Sequence, residues 1–254
     1  MNQKENVFKL FPNMGYWLMI FIPLIFAGFY VTYFSQLSLS LPRIMHIHFA
    51  LMSCWVLMLI VQPLLIRYRK LSLHKSIGKA SYLVVPLVIL TTWMMMRYTY
   101  GNQLASLLGD IEASLTELTL EQGKTQIAVF ISIAFVYLIW LIIFYSLAVI
   151  YRKNKSFHAR FMIAASLTLI GPTVDRILFF LFGISTVIAD LPVEVVGFLF
   201  IDILLLTLMI KDIRNNKSAI PFGVSLAIYF FLQVFHIYFT KNEAWGNFVY
   251  LLLH

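Results

Sequence analysis

The chain has 254 residues, of which 61% are hydrophobic and 12% charged, with a mean hydropathy of +0.87. A soluble domain of this size has too little polar surface to cover that much apolar material, so a soluble globular fold is excluded and lipid is the expected solvent. The net charge of +8 would suit nucleic acid, but the Lys and Arg residues sit in short loops rather than on one helical face, and no nucleic-acid partner is expected.

A helix that crosses a bilayer needs about 20 mostly apolar residues. In chain order such segments fall near residues 16–34, 44–66, 81–100, 125–151, 159–184, 193–210 and 220–240. They predict an all-α bundle of seven transmembrane helices forming a single domain over 1–254. The first segment follows lysines as a secretory signal would, yet it is long and lacks a small-x-small cleavage pattern, so it reads as a retained helix.

After the second segment, residues 67–79 read RYRKLSLHKSIGK, a basic stretch expected at anionic lipid headgroups. The longest connection, 101–124, spaces Leu104, Leu107, Leu108, Ile111, Leu115 and Leu118 at roughly helical intervals among acidic residues. A short amphipathic helix on the outer membrane surface is expected there. It reads as a solvated cap or, over 104–121, as a docking segment for a protein partner. Pro23, Pro63, Pro86 and Pro172 fall inside predicted crossings, and Gly171-Pro172 is the expected sharp kink. The lone Cys54 has no cysteine to pair with and says nothing of redox compartment.

Fourteen of the 19 Lys and Arg residues fall on one side of this layout: Lys4 and Lys9, then the basic residues of 67–79, 152–160 and 211–217. Arg43, Lys124 and Lys241 stand opposite. The positive-inside rule then places the N-terminus in the cytoplasm and the C-terminus outside, in a bacterial inner membrane.

Ionisable groups inside hydrocarbon cost at least about 2.5–3.5 kcal/mol, so those present are expected to face a partner or a cavity. At a rise of about 1.5 Å per residue, Asp175, Arg176 and Asp202 lie within roughly 7 Å of the midplane. His48, Arg97 and His236 lie about 9–11 Å toward the outside. His48, Trp55 and Gln62, seven residues apart, form one stripe across the membrane, while His46 points elsewhere. Arg97, Asp175, Arg176 and Asp202 thus read either as a charge-balanced packing cluster or, with Gln62, as the lining of a ligand or proton pocket. His48 and His236 match in depth as axial ligands for a haem b if their helices are neighbours, and His74 and His158 form a second pair near the cytoplasmic ends. No HExxH or HxxxH spacing points to a metal site, and nucleophile elbows, P-loops and dinucleotide fingerprints are absent.

Gln62-Pro63 followed by Leu73-His74-Lys75-Ser76-Ile77-Gly78-Lys79, and His158-Ala159-Arg160-Phe161-Met162, with His46 or His48, resemble a family of uncharacterised bacterial multi-pass membrane proteins. That family is distantly similar in layout to di-haem cytochrome b ferric reductases. The resemblance covers about residues 46–180 and implies roles for His48, His74 and His158, together with Gln62 and Arg160. The chain departs from the six-helix cytochrome pattern in its seven predicted crossings and its lack of matched His pairs within helix bodies. Three functions are therefore expected to compete: haem-based electron transfer, ligand or proton binding with transport, and a structural or assembly subunit.

Overall fold

A computed structural model describes residues 8, 10–188 and 191–254. Lys4 and Lys9 of the charge tally lie outside the described residues. Among the described residues the chain is helical, with one isolated bridge, between Thr186 and Pro192, and no strand. The helices are α1 (Met14–Leu18), α2 (Phe21–Phe29), α3 (Arg43–Arg67), α4 (Leu71–Glu112), α5 (Leu120–Ile150), α6 (Lys155–Leu167), α7 (Ile170–Arg176), α8 (Glu194–Arg214), α9 (Ile220–Phe239) and α10 (Glu243–Leu253).

Five helical stretches among the described residues are long and apolar enough to cross a membrane: Arg43–Arg67, Leu71–Glu112, Leu120–Lys153, Lys155–Leu181 and Ile220–Phe239. They coincide with the second, third, fourth, fifth and seventh predicted segments, and the protein is a membrane-embedded helical bundle. The first segment forms two short apolar helices, α1 and α2, joined at Met19 and Ile20. The sixth, α8, is long enough, but Asp202 and Lys211 fall together in every 18-residue window of it, always with a third charged residue.

Capping explains where the sequence reading misplaced helix starts. Helix α5 begins at Leu120 rather than near 125 because Thr119 and Gln122 form a reciprocal capping box. Asn154 accepts from the Phe157 amide and starts α6 before the predicted 159. Helix α4 runs for 42 residues, about 63 Å and roughly twice the hydrocarbon thickness. Residues 101–112 therefore continue α4, at the end away from the basic loops, instead of forming a separate helix. Leu104 and Leu107 are buried in a cluster with Ile127 of α5 and Val249 of α10. Helix α10, missed because it is short, is capped by Asn242 and packs on the start of α5 and the end of α4, with the Trp245 indole donating to Ala128 O at 3.3 Å.

The main core gathers Trp55, Trp140, Phe144, Ile201 and Tyr229 between α3, α5, α8 and α9. At the basic end, Arg160 of α6 reaches Asp212 of α8 through two bonds, Nε to Oδ2 at 2.6 Å and a terminal nitrogen to Oδ1 at 2.8 Å. Arg160 also donates to Ser156 and lies over the rings of Phe11 and Phe222. The guanidinium is fully buried, so the pair ties α6, α8, α9 and the N-terminal segment at one point. Removing one partner strands a buried charge: Arg160→Met alone is expected to cost about 3–5 kcal/mol, and adding Asp212→Leu to restore much of it. Thermal unfolding of both variants in detergent checks this.

Candidate functional site

The backbone around Pro172 builds the site. Proline has no N–H to donate and its ring crowds the carbonyl four residues earlier, that of Thr168. The helix breaks there, at Thr168 and Leu169, between α6 and α7. The Thr173 hydroxyl lies 2.8 Å from both Leu169 O and Ile170 O, and Thr168 donates to Ala165 O at 2.8 Å. A π-helical turn, Ile177–Leu181, follows Arg176, re-aiming the chain just beyond the charged pair. Two glycines allow close packing here. A Cβ on Gly28 of α2 would lie 2.8 Å from Thr173 O, and one on Gly171 would lie 2.4 Å from the Tyr137 ring.

The result is a cavity of about 480 Å³ in the half of the bundle away from the basic loops, between α2, α3, α4, α5 and α7 and bordered by Ser185, Pro192, Val193 and Glu194. Its polar lining includes His48, Tyr137, Asp175, Arg176 and Glu194, set in mostly aromatic and aliphatic walls that include Trp55. Tyr137 donates its hydroxyl to Asp175 Oδ2. Asp175 Oδ1, Arg176 Nε, Glu194 Oε2 and Trp55 Nε1 are buried and have no hydrogen-bond partner among the described residues. The Arg176 guanidinium lies 4.7 Å over the Phe29 ring, and its nearest acceptor, Pro172 O, is 3.5 Å away. Buried polar atoms in proteins are overwhelmingly bonded, so several unbonded ones in residues around one cavity set this region apart.

Thr91 Oγ1 lies 2.9 and 3.1 Å from Leu87 O and Val88 O and 3.1 Å from His48 Nδ1. With its single hydrogen on either carbonyl it accepts from His48 Nδ1, the tautomer that leaves Nε2 unprotonated.

Other predicted site residues lie elsewhere. Asp202 of α8 accepts from Gln233 of α9 at 3.1 Å. Arg97 is exposed and donates to the backbone carbonyls of Leu253 and His254, both at 3.1 Å. His236 bonds Ser132 through Nδ1 at 2.9 Å and packs edge-on against Phe198. Helix α9 packs on α5, α6 and α8, whereas α3 packs on α1 and α4, so the helices of His236 and His48 have different neighbours. Toward the basic end, His158 donates from Nδ1 to Ala148 O at 2.8 Å. His74 Nδ1 and both ends of the Gln62 amide are buried without a partner among the described residues.

Of the residues singled out in the sequence, the structure brings Asp175, Arg176 and His48 together on this cavity, beside Tyr137 and Glu194 and with Thr91 against His48, which the sequence did not single out. Glu194 sits at a predicted helix end, where a carboxylate is unremarkable. Tyr137 looks like one more aromatic in an apolar run, and its only signal is its contact with Gly171. No family model, curated protein or solved structure matches the chain.

Proposed function

We propose that the chain crosses the membrane seven times, N-terminus in the cytoplasm, and that its outer cavity binds a small amphipathic molecule bearing a cationic and an acidic group, as a carrier or receptor site. The crossing count adds α1 with α2 and α8 to the five long apolar stretches. Residue Asp202 of α8, the charge nearest mid-helix, is bonded to Gln233. One observation carries the ligand reading: a 480 Å³ cavity with apolar walls is lined by Asp175, Arg176 and Glu194, and each of these two acids and one guanidinium keeps a buried atom without a hydrogen-bond partner among the described residues. Asp175 and Glu194 suit a cationic group, Arg176 an acidic one, and the aromatic walls an apolar body.

A second reading, haem b on His48, rests on the ring tautomer. An imidazole that donates from Nδ1 presents the Nε2 lone pair that a metal takes. His48 faces the cavity in this form, and His158 and His236 are anchored through Nδ1 as well. A haem shared by His48 and His236 would require α3 and α9 to face one slot, so the cavity favours His48 alone. The basic residues at the other end suit anionic lipid headgroups, and the outer extension of α4 remains the surface proposed for a protein partner.

Topology is checked by cysteine labelling in a Cys54→Ala background. Lys241→Cys is expected to react with a membrane-impermeant maleimide in intact cells, and Lys153→Cys only after permeabilisation.

For the ligand, L-phenylalanine, phenethylamine and phenylacetate share one apolar body and differ in charge. The zwitterion is expected to give a saturable change in tryptophan fluorescence, weakened by about tenfold or more in Asp175→Asn or Arg176→Gln, since a charge-assisted hydrogen bond contributes about 1.5–3 kcal/mol. No saturable change with any of the three overturns the reading.

A reduced-minus-oxidised absorption spectrum of the purified protein is expected to lack a Soret band. A band that disappears in His48→Ala would transfer the assignment to haem.

A further inference from the structure

A second set of partnerless polar atoms runs from this cavity toward the basic end. On α3, His48, Trp55 and Gln62 recur every seven residues and share a face. Trp55 walls the cavity, its Nε1 open, and meets the Tyr145 ring of α5 edge-on at 5.8 Å. The Tyr145 hydroxyl is 2.8 Å from Ser81 Oγ of α4, which lies 2.6 Å from Gly78 O. The Gln62 amide is beside Gly78, its Nε2 3.8 Å from where a Cβ would stand. His74 lies against the Gln62 backbone and interacts electrostatically with His158 at the basic end.

Polar side chains between membrane helices often act as packing glue, and glue is bonded to itself across the interface. Here the Tyr145 and Ser81 pair behaves so, but Trp55 Nε1, both ends of Gln62 and His74 Nδ1 make no bond to the described protein. Open donors and acceptors in sequence are what hydrogen-bonded water needs in order to thread a seam. Chains of ionisable and polar groups of this kind form proton relays in membrane proteins.

We propose that the α3, α4 and α5 seam is a water-lined proton path joining the outer cavity to the cytoplasmic face. Trp55, Tyr145, Ser81 and Gln62 orient the water, and His74 exchanges the proton. A proton arriving along the water bonds to His74 Nδ1, and the ring releases its other N–H proton toward the cytoplasmic side, so one proton enters for each one that leaves. A return of the ring to its first tautomer completes the cycle. The titratable and charged groups at the outer mouth are His48, Asp175, Arg176 and Glu194, and at the inner mouth Lys75, Lys79 and His158. The path shares its outer mouth with the proposed ligand cavity but needs no ligand, so the two readings fail separately.

The test is proton flux into phosphatidylcholine and phosphatidylglycerol vesicles holding the full chain and an internal pH dye, driven by a potassium gradient with valinomycin. The flux is expected to exceed that of protein-free vesicles and to fall by about an order of magnitude in Gln62→Leu and His74→Leu. Gln62→Glu, which keeps a polar end in the seam, is expected to retain it, separating loss of the path from loss of the fold. Asp202→Asn removes a membrane-interior charge off the path and is expected to leave the flux unchanged. A wild-type flux equal to that of empty vesicles overturns the proposal. So does an undiminished flux in both leucine variants, or an equal fall in Asp202→Asn.

Discussion

The cost of an unpaired charge in apolar surroundings organises this bundle. Arg160, fully buried, has an Asp212 carboxylate on one side, Ser156 on another and two aromatic rings against it. Asp202 has Gln233, and Arg97 has the carbonyls of Leu253 and His254. Each removes a polar group from lipid by giving it a partner within the protein, and each joins elements distant in sequence. Against that background the open atoms of Asp175, Arg176 and Glu194 are the exception. In the ligand reading proposed above, these are the groups that a guest would bond.

The backbone makes that exception possible. An uninterrupted helix through 155–181 would carry Asp175 and Arg176 onward with the 3.6-residue periodicity of its first turns. The break at Thr168 and Leu169 and the π-helical turn after Arg176 detach this short segment from the phase of α6. Gly28 and Gly171 then let α2 and the Tyr137 ring approach it. The threonines at 168 and 173 are placed by the same accounting, since carbonyls freed near a proline in lipid need hydroxyls to answer them. The charged cavity thus depends on a proline, a π-helical turn and two glycines acting together.

Much of this was legible in the sequence, and what was not has identifiable causes. Apolar length found the five stretches long and apolar enough to cross a membrane, because lipid imposes a minimum run that chance seldom supplies. Gly171-Pro172 announced the break, and Asp175 and Arg176 stood out as interior charges beside it. The reading failed where a residue's role depends on which helix it faces. Asp202 and Arg97 were grouped with Asp175 by depth alone, yet depth does not say which face of a bundle a side chain occupies. Asp212 went unnoticed because it sits among loop charges, and only the packing of α8 on its neighbours turns it toward Arg160. The extension of α4 through 101–112 was read as a surface helix because its leucine pattern fits either a membrane surface or a protein one, and α10, the element that helps bury it, was too short to register.

The pairing that does not form explains the chemistry of the cavity. Asp175 and Arg176 are adjacent, and neighbours on a helix point about 100° apart, so neither can satisfy the other in this geometry. The Asp175 carboxyl turns toward Tyr137 and Gly197, where Gly197 has no side chain to block it. The Arg176 guanidinium turns over Phe29, on the α2 side. Tyr137 can occupy one carboxylate oxygen and no more, and an aromatic face attracts the cation without accepting its N–H bonds. Opposite charges are thereby held apart across an apolar space, each partly supported and neither quenched. That separation sets Asp175 and Arg176 apart from the Arg160 and Asp212 ion pair, and under the proposed ligand reading a guest that bridges it brings both signs of charge at a fixed spacing.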